Sequence, residues 1–121
     1  MVTQQKKITL TGKPQSTNHL YKSHCRFGYP TVYMTKAGKE LKESYQWEIK
    51  SQYKGELLEG DVKLKVEFYF GDKRKHDIDN YNKLIFDALS GIVYEDDNQI
   101  TELCLYKFYD KENPRIEISF I

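Results

Sequence analysis

The chain has 121 residues, 39% hydrophobic and 31% charged, which is enough for one hydrophobic core, short for two domains and too apolar for a disordered chain. A formal net charge of +1 excludes a uniformly basic surface, and no apolar run approaches the roughly 18 residues that a membrane-spanning helix needs. Cys25 and Cys104, without CxxC spacing or a His cluster, exclude a disulfide framework and a zinc site, while Met1 to Lys7 carry no apolar leader, so a cytoplasmic protein with free thiols is expected.

Ile8 and Leu10 alternate with polar neighbours and predict a first strand, which the polar, basic loop Gly12-Lys13-Pro14-Gln15-Ser16-Thr17-Asn18 ends. A second short strand is expected over Tyr29 to Met34. Thr35 then caps a helix running to about Tyr53, whose stripe is Ala37, Leu41, Tyr45 and Ile49. Gly55 and Gly60 bracket a break, after which Val62 to Phe70 alternates cleanly, with the even-numbered residues predicted to face the core. A second helix is expected from Asp79 or Asn80 to Ser90-Gly91, because Tyr81, Leu84, Ile85, Ala88 and Leu89 recur at helical spacing. Two closing strands, Ile100 to Tyr109 and Arg115 to Phe120, are expected to form a hairpin through Lys111-Glu112-Asn113-Pro114. The order β-β-α-β-α-β-β predicts one α+β domain over residues 1–121, a small mixed sheet with two helices packed on it.

Charge is unevenly distributed. Residues 1–54 hold ten Lys and Arg against three Glu, and residues 55–121 hold nine against fifteen Asp and Glu. The basic half reads as a polyanion surface, or equally as a solvated helix that keeps the protein soluble.

The acidic half contains an unusual cluster. Asp77, Asp79 and Lys83 lie within seven residues, and Glu95, Asp96 and Asp97 follow after a helix-sized interval. Clustered acids repel one another unless a cation neutralises them. In extended geometry Asp77 and Asp79 point to the same side, and a helix N-terminus near Asp79 favours its ionised form. Lys83, four places on, falls near the same helix face as Asp79 and away from the apolar stripe. Asp97 joins them if its strand lies beside Val62 to Phe70. Oxygen donors without soft ligands suit Mg²⁺, with Mn²⁺ as a substitute. Lys73, Arg74, Lys75 and His76 adjoin the cluster as candidate phosphate contacts, so the combination points to phosphodiester chemistry.

Blander readings stand beside this one. Asp79 as a helix cap is worth about 1 kcal/mol, a Lys83–Asp87 pair roughly 0.2–0.5 kcal/mol, and Asp96-Asp97-Asn98 reads as a solvated turn. His76 is a candidate base or a phosphate contact. A calcium loop is excluded, since the sixth position from Asp77 is Asn82 and the twelfth is Ala88, where Gly and Glu are required.

Arg74-Lys75-His76-Asp77-Ile78-Asp79-Asn80-Tyr81-Asn82-Lys83, Phe86-Asp87-Ala88-Leu89 and Asp96-Asp97-Asn98-Gln99-Ile100 together resemble the signature of the RusA family of Holliday junction resolvases. The similarity extends more weakly to the loop from Ile8 to Asn18 and to the helix near Lys36. The resemblance implies a homodimeric, Mg²⁺-dependent crossover junction endodeoxyribonuclease that nicks two opposed strands of four-way DNA in recombination and repair. It implies that Asp77, Asp79 and Asp97 hold the metal and that Lys83 is catalytic. The DNA contacts it points to are Lys13, Asn18, Lys73, Arg74 and Lys75. Within the basic half, Lys13, Lys22, Arg26, Lys36 and Lys39 would hold phosphates, while Tyr21, Phe27 and Tyr33 read as platforms for bases or as core and dimer packing. A non-catalytic DNA-binding dimer and a metal-dependent nucleotide phosphohydrolase are the competing readings.

Overall fold

The computed structural model describes residues 7–121 apart from the Arg26 side chain, so the segment Met1 to Lys6 and that arginine's phosphate contact lie outside the described residues. Strands β1 (Lys7–Thr11), β4 (Val62–Phe70), β5 (Ile100–Tyr109) and β6 (Arg115–Phe120) form a mixed sheet in the order β1-β6-β4-β5. The alternation of β4 sets its face: Val62, Leu64, Val66, Phe68 and Phe70 are buried, against Ile8 and Leu10 of β1 and Ile116 and Ile118 of β6. Within this sheet β4 and β5 pair in parallel, and the β1–β6 and β4–β6 pairs are antiparallel.

The expected hairpin of the two closing strands does not form, because β4 lies between them. Strand composition explains the order. The buried Ile116 and Ile118 of β6 suit an interior position, whereas the half-polar, aromatic β5 suits an edge. The connecting residues cross the end of β4, where Asp110 donates its backbone N–H to the Phe70 carbonyl (2.8 Å) and accepts from Arg115 (2.7 Å).

Helix α2 is Lys36–Gln52, capped by Thr35, whose Oγ1 accepts from the Gly38 N–H (3.1 Å). Its buried stripe is Gly38, Tyr45 and Ile49 with half-buried Leu41; the expected Ala37 is exposed. The helix begins against the Leu20 carbonyl, which a Cβ at position 38 would approach to 2.4 Å, so only glycine fits the inner face there. Further along, Gln52 and Glu48 reach the outer edge of β1: Thr9 N–H donates to Gln52 Oε1 (2.7 Å), Gln52 Nε2 donates to the Thr9 carbonyl (2.8 Å) and Thr11 N–H donates to Glu48 Oε2 (2.9 Å). One sheet edge is thereby satisfied by side chains, and β5 is left as the open edge among the described residues.

The second expected helix is split. A 3₁₀ turn, Ile78–Tyr81, precedes α3, Lys83–Leu89, which buries Leu84, Ile85, Ala88 and Leu89. Two further elements were not foreseen: a one-turn helix α1, Thr17–Leu20, and a strand β2, Tyr21–Arg26, that pairs with β3, Tyr29–Met34, as a separate two-stranded sheet. The architecture is α+β, as expected. No helix among the described residues is long and apolar enough to cross a membrane.

Candidate active site

The acidic segment follows β4 through a loop that its own side chains pin down. Asp72 Oδ1 accepts from the Arg74 N–H (3.0 Å) and lies 2.8 Å from His76 Nε2. The imidazole stacks flat on Phe70, with ring centroids 3.9 Å apart, and its Nδ1 is 3.1 Å from the Tyr81 hydroxyl. Lys107 on β5 donates to the His76 carbonyl (3.1 Å). With both ring nitrogens engaged, His76 fastens the loop.

That fastening delivers Asp77 in extended conformation (φ −97°, ψ 101°) ahead of the 3₁₀ turn, without a side-chain cap bond. Asp79 lies in the turn itself. Its carboxyl is held above the usual range by a hydrogen bond with Asp77 and then by Coulombic repulsion from it. The two acids are thus neighbours, as the spacing predicted.

Helix α3 supplies the cation. Its buried face leaves Lys83 and Asp87 outside, with Nζ 3.9 Å from Asp87 Oδ2 and 4.9 Å from the Tyr21 ring centroid. The Tyr21 hydroxyl donates to the same Asp87 carboxylate. Burial first, and this bond second, push the phenol pKa well above its ordinary value, so Tyr21 stays a donor. Just before the helix, Asn82 Oδ1 is buried and has no protein partner, while its Nδ2 donates to the Asp79 backbone carbonyl (3.5 Å).

Asp96 and Asp97 have different jobs. Asp96 caps the 3₁₀ turn Asp97–Gln99, accepting from the Asn98 N–H (3.0 Å), while Gln99 Oε1 accepts from the Asp96 N–H (3.0 Å). Asp97 is pushed above the normal carboxylate range, by burial first, then by the bond with Asp96 and repulsion from Asp96 and Asp87; Lys83 opposes the shift. Lys83 therefore stands within electrostatic reach of both Asp87 and Asp97.

The predicted set is divided into an Asp77–Asp79 pair and an Asp97–Lys83 group. β5 does lie beside β4, but it runs parallel to it, so the start of β5 aligns with Val62 and not with the Phe70 end from which the acidic loop departs. The 3₁₀ turn and α3 span the interval. Among the described residues, no three His, Cys, Asp or Glu side chains as they stand are close enough to hold one ion. The donors nevertheless suit a hard dication: all are oxygens, the paired carboxylates repel each other, and Asn82 Oδ1 lacks a partner.

Around this centre, α1 packs against the 3₁₀ turn and α3, which brings the exposed Asn18 alongside. Lys13 and Lys75 are also exposed. Lys73, Arg74 and Lys107 border a cleft of about 290 Å³ over Phe70 and His76, with Lys73 above the Tyr109 ring (5.0 Å). Two residues of the site escaped the sequence reading in this role. The sequence presents Asp87 only as an ion-pair partner of Lys83 and Tyr21 only as a platform for bases or a packing residue; their mutual bond has no local signal, since 66 residues separate them.

A family model described as Endodeoxyribonuclease RusA matches residues 11–120. The chain is 48% identical over 44 residues to the uncharacterized protein YqaN of Bacillus subtilis (strain 168), covering 36% of this chain and 30% of that protein. It is 30% identical over 67 residues to crossover junction endodeoxyribonuclease RusA of Aquifex aeolicus (strain VF5), covering 54% of this chain and 52% of that one.

Proposed function

We propose that this chain, which belongs to the RusA family of endodeoxyribonucleases, is a Mg²⁺-dependent endonuclease that resolves four-way DNA junctions by paired nicks. One observation carries the reading: Lys83, fixed between Asp87 and the Tyr21 ring, lies on the short segment that joins an Asp77–Asp79 pair to Asp97. Acids alone would repel a phosphodiester, and a lysine alone would only bind it. The combination suits hydrolysis.

Asp77, Asp79 and Asp97 would hold the metal. When bound, Mg²⁺ supplies charge neutralisation at the phosphate and a bound water of lowered pKa. The protein's own part is positioning. Lys83 offsets negative charge developing on the phosphate oxygens, and Asp87 with Tyr21 keeps its ammonium from swinging away. Lys73, Arg74 and Lys75, together with Lys13 and Asn18, hold flanking backbone.

Two opposed cuts need two copies of the site, which a two-fold dimer supplies. The exposed Leu103, Tyr106, Phe108 and Tyr109 lie on β5, the sheet edge that no described element closes, and this edge suits a second copy. A non-catalytic DNA-binding dimer is the second reading, favoured by the division of the acids into two groups.

Incubation with four-way, forked and duplex DNA and with mononucleotides, in Mg²⁺ and in chelator, separates these readings. The proposal expects Mg²⁺-dependent paired nicks in the four-way substrate. Tight junction binding without nicks in any metal would leave the non-catalytic dimer, and phosphate release from mononucleotides alone would sink both.

A further inference from the structure

The β2–β3 hairpin stands apart from the sheet, and the chemistry just described does not use its far end. Its two strands pair only with each other, from Tyr21↔Met34 at the base to Arg26↔Tyr29 at the tip. Tyr29 to Tyr33 are exposed without interruption, on both faces of the strand. A strand buried on neither face projects from the body of the molecule, here by roughly 20 Å for six residues. Such a two-stranded ribbon is marginal alone, and its residues need another reason to be there.

The tip is apolar and conformationally costly. Phe27 is 86% exposed, Tyr29 75% and Val32 62%. Phe27 (φ 54°) and Gly28 (φ 79°) form a two-residue turn with positive φ at both positions, a turn that Asn-Gly or Asp-Gly would make with less strain. A bulky aromatic is held in a left-handed conformation, and it is the most exposed of the large hydrophobic residues among those described. Strain retained at an exposed tip marks it for contact with something.

Charge identifies the partner. Residues 21–34 contain Lys22 and Arg26 and no Asp or Glu, in a chain that has 18 acids in all. Cations combined with protruding aromatics are the chemistry of nucleic acid with unstacked bases, where phosphates meet the cations and rings take the bases. The base of the hairpin is continuous with the candidate active site. Tyr21, its first residue, bonds Asp87 and lies under Lys83, and the Thr35 N–H donates to the Leu20 carbonyl (2.8 Å) to close the ribbon.

We propose that this hairpin is a DNA-engaging arm, whose Phe27 and Tyr29 stack on bases unpaired at a branch point while Lys22 holds an adjoining phosphate. The inference rests on the nuclease reading and deepens it: the arm makes the enzyme selective for branched over linear DNA.

The test uses the full chain, a four-way junction carrying 2-aminopurine at the crossover, and a duplex of the same sequence, with Ca²⁺ in place of Mg²⁺ to prevent cutting. The variants are Phe27→Asn with Tyr29→Ala, in which Asn keeps the left-handed turn, and Lys22→Ala as a charge-only control. The wild type is expected to change the 2-aminopurine fluorescence of the junction. In the aromatic variant that change should vanish and junction affinity should fall about 10-fold or more per lost stack, with duplex affinity and melting temperature retained. Lys22→Ala should weaken both substrates alike. An aromatic variant with wild-type fluorescence and an unaltered junction-to-duplex ratio overturns the arm while leaving the nuclease reading in place. A wild type that does not prefer junctions overturns both, and a change of solution mass in the variant overturns the arm in favour of a protein-binding surface.

Discussion

The Tyr21 hydroxyl donates a hydrogen bond to the carboxylate of Asp87, four residues beyond Lys83 on α3. A residue at the foot of the hairpin thereby shares its partner with the proposed catalytic cation. Without the phenol, Asp87 keeps only Lys83, whose ammonium is then drawn further from the phosphate. Tyr21→Phe retains the ring beneath Lys83 and should slow junction cleavage about 10-fold, as loss of a supporting hydrogen bond does at metal sites. Single-turnover rates should fall with junction affinity unchanged. A drop in affinity at constant rate would place Tyr21 in binding and not in positioning.

Lys83→Ala should lower the cleavage rate by about 10²–10³-fold, the usual cost of one charge-stabilising donor. Lys83→Arg should recover part of it. If Ala and Arg variants were equally slow while melting as the wild type does, the lysine's role would lie in its size and reach and not in its charge.

Asp79 is held above the usual carboxylate range by Asp77, and Asp97 by burial and then Asp96. For an acid whose folded pKa is raised, the stability it contributes is fully present below the unfolded pKa and is lost as pH rises through the folded one. The metal-free protein should therefore lose stability as pH rises through and above the ordinary carboxylate range, and Mg²⁺ or Mn²⁺ should restore it. Melting curves at pH 4 and pH 8, with metal and with chelator, check this. The metal-induced rise should be confined to pH 8 and be absent in Asp79→Asn; an equal rise in that variant would remove Asp79 from the ligand set.

Gly38→Ala discriminates between local propensity and packing. In an exposed helix this change stabilises by about 1 kcal/mol, but here the new Cβ would lie 2.4 Å from the Leu20 carbonyl oxygen and 2.7 Å from Met34 Cγ. Overpacking should prevail, with a net loss of about 1–3 kcal/mol in urea denaturation. A gain in stability would mean that α2 shifts freely relative to α1 and the hairpin.

These residues also show what was legible in the sequence. The period-two pattern of β4 and the Thr35 cap are local signals, and both elements lie where that reading put them. The acidic motif and Lys83 were equally plain, because their spacing is short. What escaped depends on distant partners. The closing strands read as a hairpin because proximity in sequence favours pairing, whereas the buried Ile116 and Ile118 gain more between β1 and β4. The β2–β3 turn carries Phe-Gly in place of the usual Asn-Gly, and the inward residue of α2 is Gly38 because of a carbonyl 18 positions earlier.

Placing charge on the open edge should separate the protomers of the proposed dimer. Leu103→Lys with Tyr106→Lys puts cations on exposed positions of β5 and should halve the mass measured by light scattering, with the fold kept. Paired nicking should give way to single, uncoupled nicks. An unchanged mass would move the dimer interface elsewhere.

The central claim is that the Asp77–Asp79 pair, Asp97 and Lys83 form a phosphodiester-cutting centre. Its most direct test compares wild type and Asp77→Asn on a labelled four-way junction in Mg²⁺, with binding measured in parallel in Ca²⁺. The account predicts paired nicks by the wild type, at least about 10³-fold slower cutting by Asp77→Asn, and junction affinity retained or improved in the variant. An Asp77→Asn protein that cuts at the wild-type rate would contradict it.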